Sequence, residues 1–318
     1  MSRTRGWLDV AEKGSVAGIS TLVASATLLG RRPTRLLLRP IVAYHLAADA
    51  TARRTSREYL ERVHGRRVPA RAVYEHVLRF AECTLDRLFF VQGKVAELDI
   101  VSIGEEHLLA LRESRRGALL LGAHLGSFEA MQRMADARDI RINIVGYFGN
   151  APMINRVLER LNPRANARLI ELDPEGVEFV LRIRELVDAG ELVAILGDRA
   201  GPQDSRTAVV EFLGAPARFP TGPIVLAAAL GCPVYLTFGL HRGGPDRYEL
   251  HCEPFADLVR LPRRGRREAV EAEVQRYARR LEHYCRLAPD NWFNFYDFWA
   301  MSGAGSETVS AQGEGVAR

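Results

Sequence analysis

Residues 117–137, GALLLGAHLGSFEAMQRMADA, consist of an apolar run followed directly by a stretch with helical spacing. A short, uninterrupted apolar run such as GALLLGA is typical of a strand that is buried on both faces of a sheet. In the stretch that follows, apolar residues recur every three or four positions, which is typical of a helix packed by one face. A buried strand leading into a helix is the repeating unit of α/β proteins, so this segment predicts the fold class.

The same alternation continues along the chain. Strands are predicted for the apolar runs RINIVGY (141–147), ELVAILGD (191–198) and CPVYLTFGL (232–240). Helices are predicted for APMINRVLERL (151–161), EGVEFVLRIRELVDAG (175–190), FPTGPIVLAAALG (219–231) and the segment from Pro69 to Gly93. Strands separated by helices pair in parallel, so we expect an α/β fold with a mixed, mostly parallel sheet flanked by helices.

Positive charge is concentrated at the start of the chain. Residues 1–80 contain 15 basic and 6 acidic residues, whereas the net charge of all 318 residues is only +5. Arginines interleaved with apolar residues are typical of helices at a membrane surface, and the arginines expected at anionic headgroups are Arg31, Arg32, Arg35, Arg39, Arg53, Arg54 and Arg57. The alternative is a set of ordinary helices packed on the domain, with solvated arginines.

Three regions are expected on this basis. Residues 1–67 form a basic, amphipathic, membrane-associating helical segment, residues 68–301 an α/β domain, and residues 302–318 a disordered Gly/Ser/Glu-rich tail. Residues 14–30 carry no charge, but they are weakly apolar and slightly short for a membrane span. Asp9 and Glu12 argue against a secretory signal peptide, because the start of such a signal is positively charged.

His124 and Glu129 are the candidate catalytic residues. His124 follows the strand GALLLGA, and ligands of open α/β sheets bind at the carboxyl ends of the strands. Glu129, in the first turn of the next helix, is expected to accept one ring N–H of His124 and leave the other nitrogen free as a general base. Ser127 is expected to cap that helix, and a purely structural histidine is the alternative. A second histidine with this spacing, His241 before Asp246, lies in a turn-forming stretch, HRGGPD.

Further polar residues point to the same edge of the sheet. Asp198 and Arg199 follow the strand ELVAILGD, and Arg199 or Arg218 is expected to hold an anionic headgroup or a phosphate. The alternative is a surface ion pair at a strand end. Six of the eight residues from Trp292 to Trp299 are aromatic, which fits a stacking surface, a lipid-facing wall or a cap on the core. The four cysteines show no metal-ligand spacing, so no metal site is predicted.

Taken in order, these blocks resemble the late acyltransferases of lipid A biosynthesis, the lauroyl/myristoyl transferase family of the lysophospholipid acyltransferase superfamily. The matching pieces are the basic apolar N-terminus, AHLGSFE, GDRAG, VEFLGAPARFPTGPIVLAAALGCPV and the Trp-rich end, which together extend over about residues 5–300. The ordered set is far more specific than the His–Glu spacing alone.

The resemblance implies an O-acyltransferase on the cytoplasmic face of a bacterial inner membrane, held there peripherally or by its N-terminus. Its donor would be acyl carrier protein or a coenzyme A thioester, and its acceptor a hydroxyl of a glycolipid such as a lipid A precursor. By resemblance, His124 deprotonates that hydroxyl and Glu129 orients and charges the imidazole, with no metal or cofactor. The substrate-binding residues expected are Asp198, Arg199, Arg218, Arg156 and Trp292.

The chain departs from the family pattern at three places. Tyr147 is followed by Phe148-Gly149 where the family usually continues with Arg-Pro, so Arg156 or Arg160 is the candidate replacement for that arginine. Arg199 stands where the family commonly has Gln. The ending NWFNFYDFW resembles versions that accompany aryl polyene pigment gene sets, so the acceptor can also be a pigment glycolipid or a phospholipid. A non-catalytic membrane-surface protein is the alternative from another class, and nucleic-acid binding is not expected.

Overall fold

A computed structural model of the chain describes residues 16–146, 169–171, 176–199 and 206–299. Within these ranges the helices are α1 (Val16–Leu29), α2 (Arg31–Ala48), α3 (Ala50–His64), α4 (Ala70–Gln92), α5 (Glu105–Glu113), α6 (Phe128–Ala137), α7 (Val177–Asp188), α8 (Gly222–Leu230) and α9 (Arg266–Leu287). The strands are β1 (Asp99–Ile103), β2 (Ala118–Gly122), β3 (Ile142–Gly146), β4 (Leu169–Glu171), β5 (Leu192–Leu196), β6 (Thr207–Phe212), β7 (Ala215–Pro220), β8 (Val234–His241) and β9 (Arg247–Ala256).

Seven strands form one mixed sheet in the order β1-β9-β8-β2-β5-β3-β4. All neighbouring pairs are parallel except β8 and β9, which form an antiparallel hairpin. The turn of this hairpin lies in the HRGGPD stretch, as its Gly and Pro content predicts. Strands β6 and β7 form a separate antiparallel pair. The predicted α/β fold with a mostly parallel sheet is therefore confirmed.

The predicted elements coincide closely with observed ones. The four apolar runs correspond to β2, β3, β5 and β8, and every residue of β2 is buried. Helix α4 begins after Pro69 and ends at Gly93, whose φ of 71° is the left-handed conformation that glycine adopts without a Cβ clash. The predicted helix APMINRVLERL and the predicted tail 302–318 lie outside the described residues.

The N-terminal helices pack against the α/β part of the molecule. Val42 and Leu46 of α2 and Tyr59 and Leu60 of α3 belong to the same buried core as the central strands. Helix α1 has 14 residues, and no helix within the described ranges has the length and apolar character needed to cross a bilayer. Residues 31–64 are therefore part of the packed structure as well as of the basic N-terminal quarter.

Several of the arginines expected at headgroups form ion pairs within the protein. Arg31 is 2% exposed and forms two hydrogen bonds to Asp86, of 2.7 and 2.8 Å, and a further one to Asp246. Arg35 pairs with Glu82, and other pairing arginines include Arg54, bound to Asp297. The expectation was wrong for the buried Arg31, because sequence periodicity does not show which face of a helix meets the carboxylates of its neighbours. For Arg35 and Arg54, which are 15% and 57% exposed, it stays a prediction.

Candidate active site

His124 and Asp198 meet because of the register between two adjacent strands. Strands β2 and β5 are parallel neighbours in which Gly122 pairs with Leu196. His124 and Asp198 each lie two residues beyond this last pair, so their side chains leave the same edge of the sheet. His124 Nδ1 lies 2.8 Å from Asp198 Oδ1, and the backbone N–H of His124 donates to Asp198 Oδ2 at 3.1 Å.

The loop that carries His124 is fixed by close contact between two backbones. Ser127 N donates to the carbonyl of Gly239 on β8 at 2.7 Å. A Cβ on Gly126, whose φ is 75°, would come within 2.0 Å of that carbonyl oxygen, and one on Gly239 within 2.2 Å of the Ser127 carbonyl. Glycine is therefore required at both positions. The absence of a side chain at Gly126 thus serves the contact with β8.

Trp292 holds the other oxygen of Asp198. Its indole Nε1–H donates to Asp198 Oδ2 at 2.9 Å, and the side chain is fully buried. Trp292 was expected to bind substrate directly, but in this structure no surface of the side chain is accessible. The residue instead orients the carboxylate that contacts His124.

A buried histidine in turn holds the backbone of Trp292. His76 Nε2 lies 2.9 Å from the Trp292 carbonyl, and His76 Nδ1 lies 2.8 Å from Ser56 Oγ. A carbonyl only accepts, so Nε2 carries the proton and Nδ1 accepts the Ser56 hydroxyl proton. Burial lowers the pKa of His76 to about 4, so His76 is neutral at physiological pH. Helices α3 and α4 are thereby connected to Asp198 through consecutive hydrogen bonds.

The electrostatics leave His124 neutral with one free nitrogen. Burial lowers the pKa of His124, and the charge of Arg199 lowers it further, against the opposing effect of Asp198. Burial raises the pKa of Asp198, but His124, Arg199 and the Trp292 N–H outweigh it, and the net pKa is lowered. An ionised Asp198 accepts the Nδ1–H of a neutral His124. Nε2 then carries a lone pair, and no side chain of the described residues hydrogen-bonds to it.

Glu129, five residues after His124 in the chain, contacts other partners. Its Oε1 is 2.5 Å from Arg87 Nε on α4, and its Oε2 accepts a hydrogen bond from Ser127 Oγ at 3.4 Å. The geometry therefore assigns the ring N–H of His124 to Asp198 and not to Glu129 as the sequence predicted. Ser127 Oγ accepts the backbone N–H of Ala130 at 3.2 Å, so its predicted role as the helix cap is confirmed.

The other residues predicted to bind substrate are distributed differently. Arg199 donates to the carbonyl of Phe293 and lies over the ring of Tyr296, with 5.5 Å between its Cζ and the ring centroid. Arg218 lies on β7 opposite Val209, half-buried in the separate two-stranded sheet. Arg156 falls outside the described residues. Of the predicted set, the structure thus brings His124, Asp198, Arg199 and Trp292 together.

The C-terminal aromatic segment is mostly core. Five of its six aromatic side chains are at most 8% exposed, and they are Trp292, Phe293, Tyr296, Phe298 and Trp299. Its backbone joins the His124 loop, where Phe293 N donates to the His124 carbonyl and Gly126 N donates to the Asn291 carbonyl, both at 2.9 Å. Of the interpretations left open by the sequence, capping of the core is the one that the structure confirms.

The second histidine with the same spacing has a structural environment. His241 is fully buried at the end of β8, where its Nε2 lies 2.9 Å from the Pro245 carbonyl and its Nδ1 lies 3.0 Å from Arg79 Nη1. Burial and the charge of Arg79 lower the pKa of His241, so it is neutral. Both ring nitrogens are occupied, and His241 lacks the free nitrogen of His124.

The chain also matches a known protein family. A family model described as bacterial lipid A biosynthesis acyltransferase matches residues 72–300. The chain belongs to this family. The resemblance seen in the sequence is thereby confirmed, and the chain is an acyltransferase whose family acts on lipid A-like acceptors. A search of curated proteins found no match.

The matched range of this acyltransferase includes the whole His124–Asp198–Trp292 constellation and begins within α4. Two residues that hold Trp292 in place were not predicted from the sequence. Ser56 and His76 lie far from His124 in the chain, and no local spacing connects them with Trp292. The contact between His124 and Asp198 was easier to predict from the sequence, because each residue stands two positions beyond the apolar part of a predicted strand.

Proposed function

We propose that this acyltransferase moves a fatty acyl group from a thioester, either acyl carrier protein or acyl-coenzyme A, to a hydroxyl of a glycolipid such as a lipid A precursor. The observation that carries the proposal is the His124–Asp198 pair at the ends of two parallel strands, with Nε2 of His124 available for proton transfer. The paired carboxylate and neutral imidazole are the groups that general-base catalysis requires.

In the proposed mechanism, Nε2 of His124 takes the proton of the acceptor hydroxyl as its oxygen attacks the thioester carbonyl. Asp198 keeps the Nδ1–H in place and stabilises the imidazolium that forms. The tetrahedral intermediate then collapses, the carbon–sulfur bond breaks, and the thiolate leaves with the proton from His124. The products are an ester and a free thiol, and the steps proposed use no metal, no cofactor and no covalent enzyme intermediate.

The test measures thiol release from a panel of acyl carrier proteins and acyl-coenzyme A esters, with total bacterial lipid or pigment extract as the acceptor. Extract-dependent release that is lost in His124→Ala and kept in His64→Ala, an exposed histidine at the end of α3, would support the proposal. Mass analysis of the extract would name the acceptor as a lipid A precursor, a pigment glycolipid or a phospholipid. If His124→Ala transfers acyl groups as fast as the wild type, the mechanism is wrong.

We also propose that the acyltransferase works at the cytoplasmic face of the inner membrane and attaches through α2. The inward face of this helix carries Leu38, Val42 and Leu46 together with Arg31 and Thr34. A second group of large apolar side chains, Leu36, Leu37, Ile41 and Tyr44, is 59%, 45%, 51% and 77% exposed. Large apolar residues grouped on a surface are typical of a lipid or protein contact. The exposed Arg32 and Arg39 flank this face and suit anionic headgroups.

Flotation with phosphatidylethanolamine/phosphatidylglycerol vesicles tests this attachment. The double variant Leu37→Glu/Ile41→Glu should lose at least about tenfold in vesicle binding, because two apolar side chains no longer enter the acyl region. Leu181→Glu is the matched control, since Leu181 is 52% exposed on α7, away from this face. Equal binding of the double variant and the wild type would exclude the α2 face as the attachment site.

A further inference from the structure

Arg199 is fixed beside His124 by the backbone of the C-terminal segment. One of its guanidinium nitrogens, Nη2, donates to the Phe293 carbonyl. The N–H of the same Phe293 donates to the His124 carbonyl at 2.9 Å. Arg199 and His124 are thus attached to opposite sides of one residue, and the ring of Tyr296 lies beneath the guanidinium at 5.5 Å. The cation is therefore held in a defined place at the same edge of the sheet.

Arg199 differs in its ion pairing from two other arginines of the described residues, the buried Arg31 and the partly buried Arg79. Arg31 pairs with Asp86 and Arg79 with Asp290, in both cases with an N–O distance of 2.7 to 2.9 Å. No carboxylate within the described ranges forms an ion pair with Arg199. Its neighbour Asp198 already binds His124 through Oδ1 and accepts two further N–H groups through Oδ2.

The guanidinium of Arg199 has unused donors in a partly buried setting. Its Nε is buried and has no hydrogen-bond partner among the described residues. A partly buried cation whose donors are not all satisfied is stabilised when an anion occupies the site. The position of Arg199 next to the general base indicates an anion that forms during the reaction.

We propose that Arg199 stabilises the negatively charged carbonyl oxygen of the tetrahedral intermediate in acyl transfer. This inference rests on the proposed function. When the acceptor oxygen bonds to the thioester carbon, the carbonyl π electrons move to its oxygen, and a guanidinium N–H donates to that oxyanion. As the carbon–sulfur bond breaks, the electrons return to re-form the carbonyl. The charge of Arg199 also favours neutral His124, the form that acts as base.

The alternative function of Arg199 is to bind a phosphate of the donor. Acyl-N-acetylcysteamine separates the two functions, because this thioester carries the reactive carbonyl and no phosphate. The experiment measures kcat and KM with acyl-coenzyme A and with acyl-N-acetylcysteamine, using total bacterial lipid extract as the acceptor. Wild type, Arg199→Met, Arg199→Gln and Arg199→Lys are compared with Arg112→Met, which removes an exposed arginine that also donates to a backbone carbonyl.

The proposal expects kcat of Arg199→Met to fall by about 10²–10³-fold with both donors, with little change in KM. Arg199→Lys should recover part of the rate, and Arg112→Met should match the wild type. An increase in KM for acyl-coenzyme A, with the phosphate-free donor unaffected, would overturn the proposal in favour of phosphate binding. Unchanged kinetics in Arg199→Met and Arg199→Gln would overturn it as well.

A titration of His124 by NMR supplies a readout that does not depend on turnover. Removing the positive charge in Arg199→Gln should raise the pKa of His124 relative to the wild type, and no change would contradict the assigned proximity. Failure of the proposed function gives a different pattern, because the wild type would then release no thiol with any donor or His124→Ala would stay active. If the wild type is active, His124→Ala is inactive and Arg199→Met is fully active, the proposed function stands and only the function proposed for Arg199 is wrong.

Discussion

Asp198 is the side chain on which the geometry of His124 depends. Its Oδ1 faces Nδ1 of the imidazole, and its Oδ2 accepts both the backbone N–H of His124 and the indole N–H of Trp292. Glu129, which the resemblance assigns to the same function, is bound to Arg87 and Ser127. Substitutions of Asp198 and of Glu129 are therefore expected to affect catalysis differently.

Asp198→Asn should be the more damaging substitution. Because two N–H donors converge on Oδ2, the amide oxygen of Asn will occupy that position and its NH₂ will face Nδ1. The imidazole must then carry its proton on Nε2, which removes the general base, so we expect kcat to fall by about 10³-fold. Glu129→Gln should lower kcat by only about tenfold, because it weakens the pair with Arg87. Steady-state kinetics decide the matter, and a larger effect from Glu129→Gln would restore the assignment made by resemblance.

Trp292→Phe tests whether the tryptophan positions Asp198 or binds substrate. The variant keeps an aromatic ring and loses the N–H that reaches Asp198 Oδ2 at 2.9 Å. We expect kcat to fall by about tenfold with little change in KM, and stability to fall by about 2 kcal/mol through the lost charge-assisted hydrogen bond. A higher KM with unchanged kcat would point to substrate contact instead.

At the scale of elements, a buried ion pair connects helix α2 to α4 and to the β8–β9 hairpin. Arg31 and Asp86 are 2% and 0% exposed, and the hydroxyl of Tyr248 on β9 donates to Asp86 at 2.8 Å. The alternation of arginine and leucine in this helix predicts a membrane surface around Arg31. In the tertiary structure Arg31 lies inside instead, because α4 presents the carboxylate of Asp86 to the inner face of α2.

Arg31→Met should therefore destabilise the whole protein. Removing one partner of a buried pair leaves the charge of Asp86 uncompensated, and we expect the free energy of unfolding to fall by about 3–5 kcal/mol in urea denaturation. Arg71→Met provides the control, because Arg71 is 84% exposed and its pair with Glu75 is solvated, so no measurable change is expected. Similar effects of the two variants would show that the buried pair contributes no more to stability than the solvated pair.

At the scale of the whole molecule, neutral histidines with a lowered pKa make the stability of the fold depend on pH. Burial lowers the pKa of His76 to about 4, and it also lowers the pKa of His241 and His124. The unfolded chain, with an ordinary histidine pKa near 6.5, binds more protons than the folded chain between these values. Stability is therefore fully present above about pH 6.5 and is lost as the pH falls towards 4.

Urea denaturation at pH 7.5 and 5.5 tests this dependence. His76 alone should account for a decrease on the order of 1 kcal/mol between these two pH values. The decrease in the free energy of unfolding between pH 7.5 and 5.5 should be smaller by that amount in His76→Gln. It should stay unchanged in His64→Gln, which alters an exposed residue. A free energy of unfolding that is constant or increases on acidification would contradict the neutral state of these histidines.

Local patterns were sufficient for the framework of this protein. Each buried parallel strand is a continuous apolar run, and turn residues mark where elements end, so β2, β3, β5, β8 and α4 follow from the sequence. The position of His124 and Asp198 after two such strands also follows, because parallel strands bring their carboxyl ends to one edge. Strand β1 and the β6–β7 pair were not predicted, since short half-buried strands carry a weak alternating pattern.

The tertiary structure alone decided which side chains meet at that edge. The choice of Asp198 over Glu129 depends on the order in which β2 and β5 lie side by side, and strand order leaves no trace in local spacing. The same applies to His76, which reaches Trp292 across more than 200 residues of chain. Periodicity specifies a face of an element, whereas its partner depends on contacts between residues far apart in the chain.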